Sequence, residues 1–165
     1  MPAPNDERLY AEDRPYWRTS KSSPDLWLAR IKELIRNAGG MVLADGFGHD
    51  ATSGRGAYMV GFELAAERYK IVWPILPTKT GDEQGTKRQA MTMMYHDIKS
   101  RIVSAKVLGA RAAFFAYLML PDGRTASQVA APELLDALPT FLGGRRALPP
   151  NEPDLGKEND RDVIL

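Results

Sequence analysis

Apolar and polar positions change period along this chain, and the changes mark out its elements. Between residues 24 and 38, Trp27, Ile31, Leu34, Ile35 and Ala38 recur at helical spacing, which gives a helix one apolar face. Ser23 suits the N-cap, Pro24 the first helical position and Asp25 the positive end of the dipole. Gly39-Gly40 stops the helix. The period then falls to two. Residues 41–47 open a run of three strands, and a polar, glycine-containing loop spans 48–56. In 57–64, Tyr58, Val60, Phe62 and Leu64 alternate with Met59, Gly61 and Glu63. After a short link around Ala65–Glu67, Tyr69, Ile71, Trp73 and Ile75 alternate with Lys70, Val72 and Pro74. Adjacent alternating runs predict an antiparallel meander with one buried face. Pro74 and Pro77 end its third strand or place it at an edge.

Helical spacing returns after the polar loop 77–85. Thr86 and Gln89 have the spacing of a capping box, so the long helix is expected to start at Thr86. Met91, Met94, Ile98, Ile102 and Ala105 mark its core face. Arg88, Tyr95, Lys99 and Lys106 fall on one stripe beside that face, and His96, Val103 and Val107 fall roughly opposite. A helix apolar on two sides is either sandwiched in its domain or shared with another subunit. The continuous apolar run 113–120 fits a buried strand, although an extension of the helix gives the same pattern. A turn at Pro121-Asp122-Gly123 and a short helix over 132–138 follow. The order predicts an α+β domain: a three-stranded antiparallel meander packed by an N-terminal helix and a long central helix, with a further strand and a short C-terminal helix.

The flanks lack such periodicity. Residues 1–22 hold four acids and four bases around Tyr10, Tyr16 and Trp17, and read as an N-terminal arm. Its aromatics either pack on their own domain or reach a ligand or partner chain. Residues 23–143 form the single domain. Residues 144–165 carry Pro149, Pro150 and Pro153, then five acids against two bases in the last fifteen positions. This acidic tail ends on Val163, Ile164 and Leu165, and reads as a solubilising segment or a docking peptide for a protein partner.

Composition narrows the chemistry. The 165 residues contain no Cys, which excludes a disulfide scaffold, a thiolate-bound metal or cluster and a cysteine nucleophile. Two His residues exclude a His-rich metal site. There is no secretory h-region and no run of about 18 apolar residues, so a cytoplasmic protein without membrane contact is expected. The formal net charge of +1 conceals segregation. Residues 77–111 hold seven basic side chains against three acidic ones.

That segment carries the main candidate site. Lys79, Lys87 and Arg88 flank a loop and a helix N-terminus, where free N–H groups favour phosphate. Lys99 and Lys106 extend the basic stripe, Tyr95 is placed to stack on a base, and Arg55 sits at a hairpin tip. A merely solvated helix face produces the same charge pattern. The loop string TKTG departs from the phosphate-binding G-x-x-x-x-G-K-[ST] pattern, and no G-x-S-x-G elbow or dinucleotide fingerprint is present. His49-Asp50 and His96-Asp97 are poor chelating pairs, since helical neighbours point about 100° apart. Asp45, Glu63 and Lys70 lack the spacing of a metal-dependent nuclease site. Gly46, Gly48, Gly54 and Gly56 need only supply turn conformations.

A meander followed by a long helix, with a basic strip where they meet, is similar to the core of the single-strand annealing recombinases. The likeness covers the element order of residues 41–108 and carries no shared motif. It implies rings that hold a DNA strand along a groove. The expectation is therefore a non-enzymatic nucleic-acid-binding protein, acting on single-stranded or recombining DNA, homo-oligomeric, with no cofactor, no metal and no catalytic set. The alternatives are an oligomeric assembly or interaction protein and a metal-dependent nuclease built on Asp45, Glu63 or His49.

Overall fold

The computed structural model describes residues 9–49 and 54–129. Residues 1–8 of the arm, Asp50, the helix expected over 132–138 and the acidic tail lie outside the described residues. The elements run as a 3-10 turn at Ala11–Asp13, α1 at Pro24–Asn37, β1 at Met41–His49, β2 at Gly56–Leu64, β3 at Glu67–Pro74 and α2 at Glu83–Leu108. Then come α3 at Ala110–Ala113, a 3-10 turn at Phe115–Tyr117 and α4 at Ala126–Val129. The chain is α+β, and the three strands form one antiparallel sheet in the order β1-β2-β3.

Local chemistry explains α1. Ser23 Oγ accepts from the Leu26 N–H at 3.2 Å, and Pro24 opens the first turn. Ile31 and Ile35 are fully buried, with Trp27, Leu34 and Ala38 packed beside them. Beyond the helix the chain passes too close to its neighbours for a side chain at Gly40. A Cβ there would lie 2.8 Å from the Glu63 carbonyl oxygen and 2.9 Å from Ile35 Cγ2.

The alternation in β2 and β3 sets the buried face of the sheet. Tyr58, Val60, Phe62 and Leu64 of β2 and Tyr69 and Ile71 of β3 are buried against Met91, Met94 and Ile98 of α2 and the isoleucines of α1. Each large side chain taken from water contributes about 1.5–3 kcal/mol. Phe62, Tyr69 and Phe114 form an aromatic triad with all three centroid separations at 5.5 Å. A bulge between Val42 and Ala44 interrupts the β1–β2 register. β2 returns to β3 through Ala65 and Ala66, both at positive φ (52° and 63°).

Two expectations are corrected at residue level. The long helix starts at Glu83, not Thr86, and its N-cap is Asp82, whose carboxylate accepts from the Gly85 N–H at 2.9 Å. Thr86 and Gln89 are not a capping box. Thr86 Oγ1 donates to the Leu76 carbonyl at 2.6 Å, and Gln89 Nε2 donates to the carbonyls of Ala11, Arg14 and Pro15. Both side chains serve tertiary contacts. The run 113–120 adds no regular fourth strand to the sheet. Gly109, at φ 87°, redirects the chain, and α3 and a 3-10 turn bring Phe114 into the core. Leu118 and Met119 then make isolated bridges to Tyr69 and Thr125. The Met119 N–H donates to the Arg68 carbonyl and Lys70 Nζ to that of Gly123, so this segment lines the β3 edge.

Candidate nucleic-acid interface

The arm is tied to the domain over residues 10–17. Ala11 is fully buried and its N–H donates to the Pro77 carbonyl at 2.9 Å. Gln89 gathers three arm carbonyls, and Trp17 lies against Gly85, where a Cβ would be 2.9 Å from its ring. Tyr16, at φ 68°, is carried over α2, and its ring stacks on His96 at 5.0 Å and 13°.

That placement assembles an aromatic and cationic cluster from three separate segments. Trp27 of α1 meets Tyr95 of α2 at 5.0 Å and lies 6.3 Å from His96. The Arg30 guanidinium stands 4.7 Å over the Trp27 ring, and Lys99 Nζ 5.9 Å from the Tyr95 ring. The rings are held, since the Trp27 Nε1–H donates to Ser20 Oγ at 2.8 Å. They are also partly open: Trp27 and Tyr95 are half-buried, while His96 and Lys99 are exposed. Such a surface offers π faces with positive charge beside them.

The residues expected to bind a polyanion divide into four places. Tyr95 and Lys99 belong to the cluster, and Lys106 is exposed two turns further along the same stripe of α2. Arg55 and Lys87 meet at a different groove of about 400 Å³, lined also by Phe47, His49, Ile75, Thr78 and Thr86. There Lys87 Nζ sits 4.6 Å from the Phe47 ring, and Glu83 adds one negative charge. Arg88 points instead toward Asp82, at 3.9 Å. Lys79 lies with the arm, 2.7 Å from an Asp13 carboxylate oxygen and 5.2 Å from the Tyr10 ring. Its hydrogen bond to Asp13 raises the Lys79 pKa above its ordinary value.

The carboxylates weighed for metal chemistry are not brought together. Register puts Asp45, opposite Val60, on the core side of the sheet, where Lys32 of α1 pairs with it at 2.6 Å. Glu63 lies on the other face, 3.8 Å from Arg68, and His49 ends β1. Among the described residues no three His, Cys, Asp or Glu side chains are grouped to hold a metal ion. No helix among them is long and apolar enough to cross a membrane.

The sequence does not disclose that Tyr16, Trp27, Arg30 and His96 join Tyr95 and Lys99 in one cluster. Trp27 carries the helical spacing of a core residue and stands between Leu26 and Leu28, so nothing local marks a second role. Comparison with protein-family models, with curated proteins and with solved structures found no match.

Proposed function

We propose that the protein binds nucleic acid, single strands in preference to duplex, across the surface shared by α1, α2 and the arm. One observation carries the reading: Trp27 and Tyr95 in contact, with Arg30 over one ring and Lys99 beside the other. Unpaired bases present π faces to such rings, whereas a duplex keeps its bases stacked inside. Lys99, Lys106 and Arg30 neutralise backbone phosphates, and the Arg55–Lys87 groove extends the positive path. The work asked of this surface is binding, and no catalytic role is assigned to it.

Anisotropy of a labelled single-stranded oligonucleotide tests the reading. Tyr95→Ala costs about 1–3 kcal/mol of binding, the usual worth of one stacked base. Lys99→Glu with Lys106→Glu weakens binding and flattens its salt dependence. Both residues are outside the fully buried core, so the fold survives. Unchanged affinity in both variants sinks the surface.

A second reading, self-association, rests on the C-terminal end of α2. Val103, Val107 and Leu108 are 59%, 84% and 65% exposed there, a grouping that a second copy of the chain would cover. Light scattering decides it: a stable oligomer that Val107→Glu dissociates favours this reading.

A further inference from the structure

The loop between β3 and α2 holds an anion that belongs to its own chain. Glu12 Oε1 accepts from Thr78 Oγ1 at 2.5 Å, the Lys79 N–H at 2.8 Å, the Thr80 N–H at 3.1 Å and Thr80 Oγ1 at 3.1 Å. Successive backbone N–H groups converging on one point form an anion-binding concavity. The neighbouring Asp13 pairs with Lys79 Nζ at 2.7 Å. Two consecutive carboxylates thus occupy one consecutive set of donors and a cation.

The fit of the occupant is incomplete. Glu12 Oε2 is buried with no hydrogen-bond partner, although buried polar atoms are almost always paired. All four donors crowd onto the other oxygen. A planar carboxylate leaves this imbalance, while the tetrahedral oxygens of a phosphate group point in directions a carboxylate cannot cover and suit N–H, hydroxyl and ammonium donors together. The loop also opens toward two cations, since Thr78 lines the groove that contains Arg55 and Lys87, with Glu83 as its one acid.

We propose that Thr78, Lys79 and Thr80 form a phosphate-binding nest, and that Glu12 and Asp13 of the arm occupy it as a tethered competitor. Its ligand is a phosphate group, as a phosphodiester of a nucleic-acid strand or as a free phosphoryl ligand. The arm remains anchored by Ala11 and Gln89 when the two acids leave, because those contacts do not involve the acidic side chains. If the acids fill the nest nine-tenths of the time, they weaken apparent phosphate affinity about tenfold. The nucleic-acid source of the phosphate rests on the function proposed above; the nest itself does not.

The test uses the full chain carrying Glu12→Ala with Asp13→Ala. Inorganic phosphate is titrated while the backbone amide resonances of Lys79 and Thr80 are followed by NMR. Saturable shifts at those amides, with an apparent Kd about tenfold lower than in the unmodified chain, are expected. A folded double variant whose Lys79 and Thr80 amides do not respond overturns the nest, whatever oligonucleotides do. Anisotropy of a single-stranded oligonucleotide then separates the sources. Tighter binding by the double variant supports a nucleic-acid strand, and a phosphate response without any oligonucleotide binding supports a free phosphoryl ligand and removes the nucleic-acid reading. Should the double variant fail to fold, Asp13→Ala alone leaves the Glu12 hydrogen bonds in place and frees Lys79. Phosphate-induced shifts around Lys79 in that variant, stronger than in the unmodified chain, are expected, and their absence overturns the proposal.

Discussion

Gln89 is a buried link between the arm and the domain, and its removal is a quantitative test of how the arm is held. The side chain is 1% exposed. Its two amide N–H groups face three carbonyls, at 2.8 Å from Ala11, 3.2 Å from Arg14 and 2.8 Å from Pro15. Gln89→Ala removes both donors, each worth about 1 kcal/mol net, and leaves the Ala11 carbonyl with the Arg14 N–H as its remaining donor. Lost packing of the Cγ methylene adds about 1 kcal/mol. The sum is a loss of about 2–4 kcal/mol. With a urea m-value of about 2 kcal/mol/M, the midpoint falls by about 1–2 M at unchanged m. Intrinsic fluorescence follows the transition, because Trp17 lies in the arm and Trp27 and Trp73 in the domain. Gln89→Glu keeps the shape but sets a carboxylate against three carbonyl oxygens. That environment raises its folded pKa above the unfolded value near 4.3. The variant is therefore least destabilised below that unfolded value, and the loss deepens as pH rises through the folded pKa. If both variants unfold within about 0.5 kcal/mol of the parent, Gln89 does not clamp the arm and the reasoning fails.

Other perturbations test other layers. Ala65 and Ala66 occupy the left-handed region in a two-residue hairpin link, where L-residues with a Cβ are strained and Asn-Gly is preferred. Ala65→Asn with Ala66→Gly should stabilise the chain by about 1–2 kcal/mol in urea, and an unchanged or lower midpoint contradicts the turn geometry. Burial alone would raise the Glu12 pKa, but donors from Thr78, Lys79 and Thr80 bring it down to about 2. A depressed carboxylate contributes stability that is present above its ordinary value of 4.5 and lost as pH falls toward 2. Stability measured across that window should therefore decline less steeply in Glu12→Gln than in the parent chain, and parallel curves refute the contact. Phe114→Ala removes one ring of the triad with Phe62 and Tyr69 and should cost about 3–5 kcal/mol. A calorimetric loss below about 1 kcal/mol means that the run 113–120 does not enter the core.

These layers also differ in how plainly the sequence displays them. The alternation of Tyr58, Val60, Phe62 and Leu64 announced β2, because one buried face forces a period of two. Ser23-Pro24-Asp25 announced α1, because capping is settled within a few residues. Thr86 and Gln89 were misleading for the opposite reason. Their spacing matches a local cap, but their partners are the Leu76 carbonyl and the arm, and spacing within a helix is silent about distant partners. Asp82 had already capped α2, four residues before Thr86. Within the run 113–120 only Ala113 and Phe114 are buried, and an apolar run alone does not choose between strand and helical turn. At the candidate interface, Tyr95 and Lys99 were legible as one stripe of one helix. Tyr16, Trp27 and Arg30 come from other segments and join them only in space. The contact of Glu12 and Asp13 with the Thr78–Thr80 loop spans more than sixty positions, so the charge of Lys79 read as open where the fold has already paired it.

Single strands against duplex is the comparison on which the account turns. Anisotropy of labelled oligonucleotides of equal length, single- and double-stranded, is measured at low and at physiological salt. Binding that survives physiological salt, favours the single strand, and falls with log salt at a slope of about −2 is the predicted result, from about three phosphates held by Arg30, Lys99 and Lys106. Absence of binding at low salt, or equal affinity for duplex and single strand, contradicts the claim that the Trp27–Tyr95 surface receives unpaired bases.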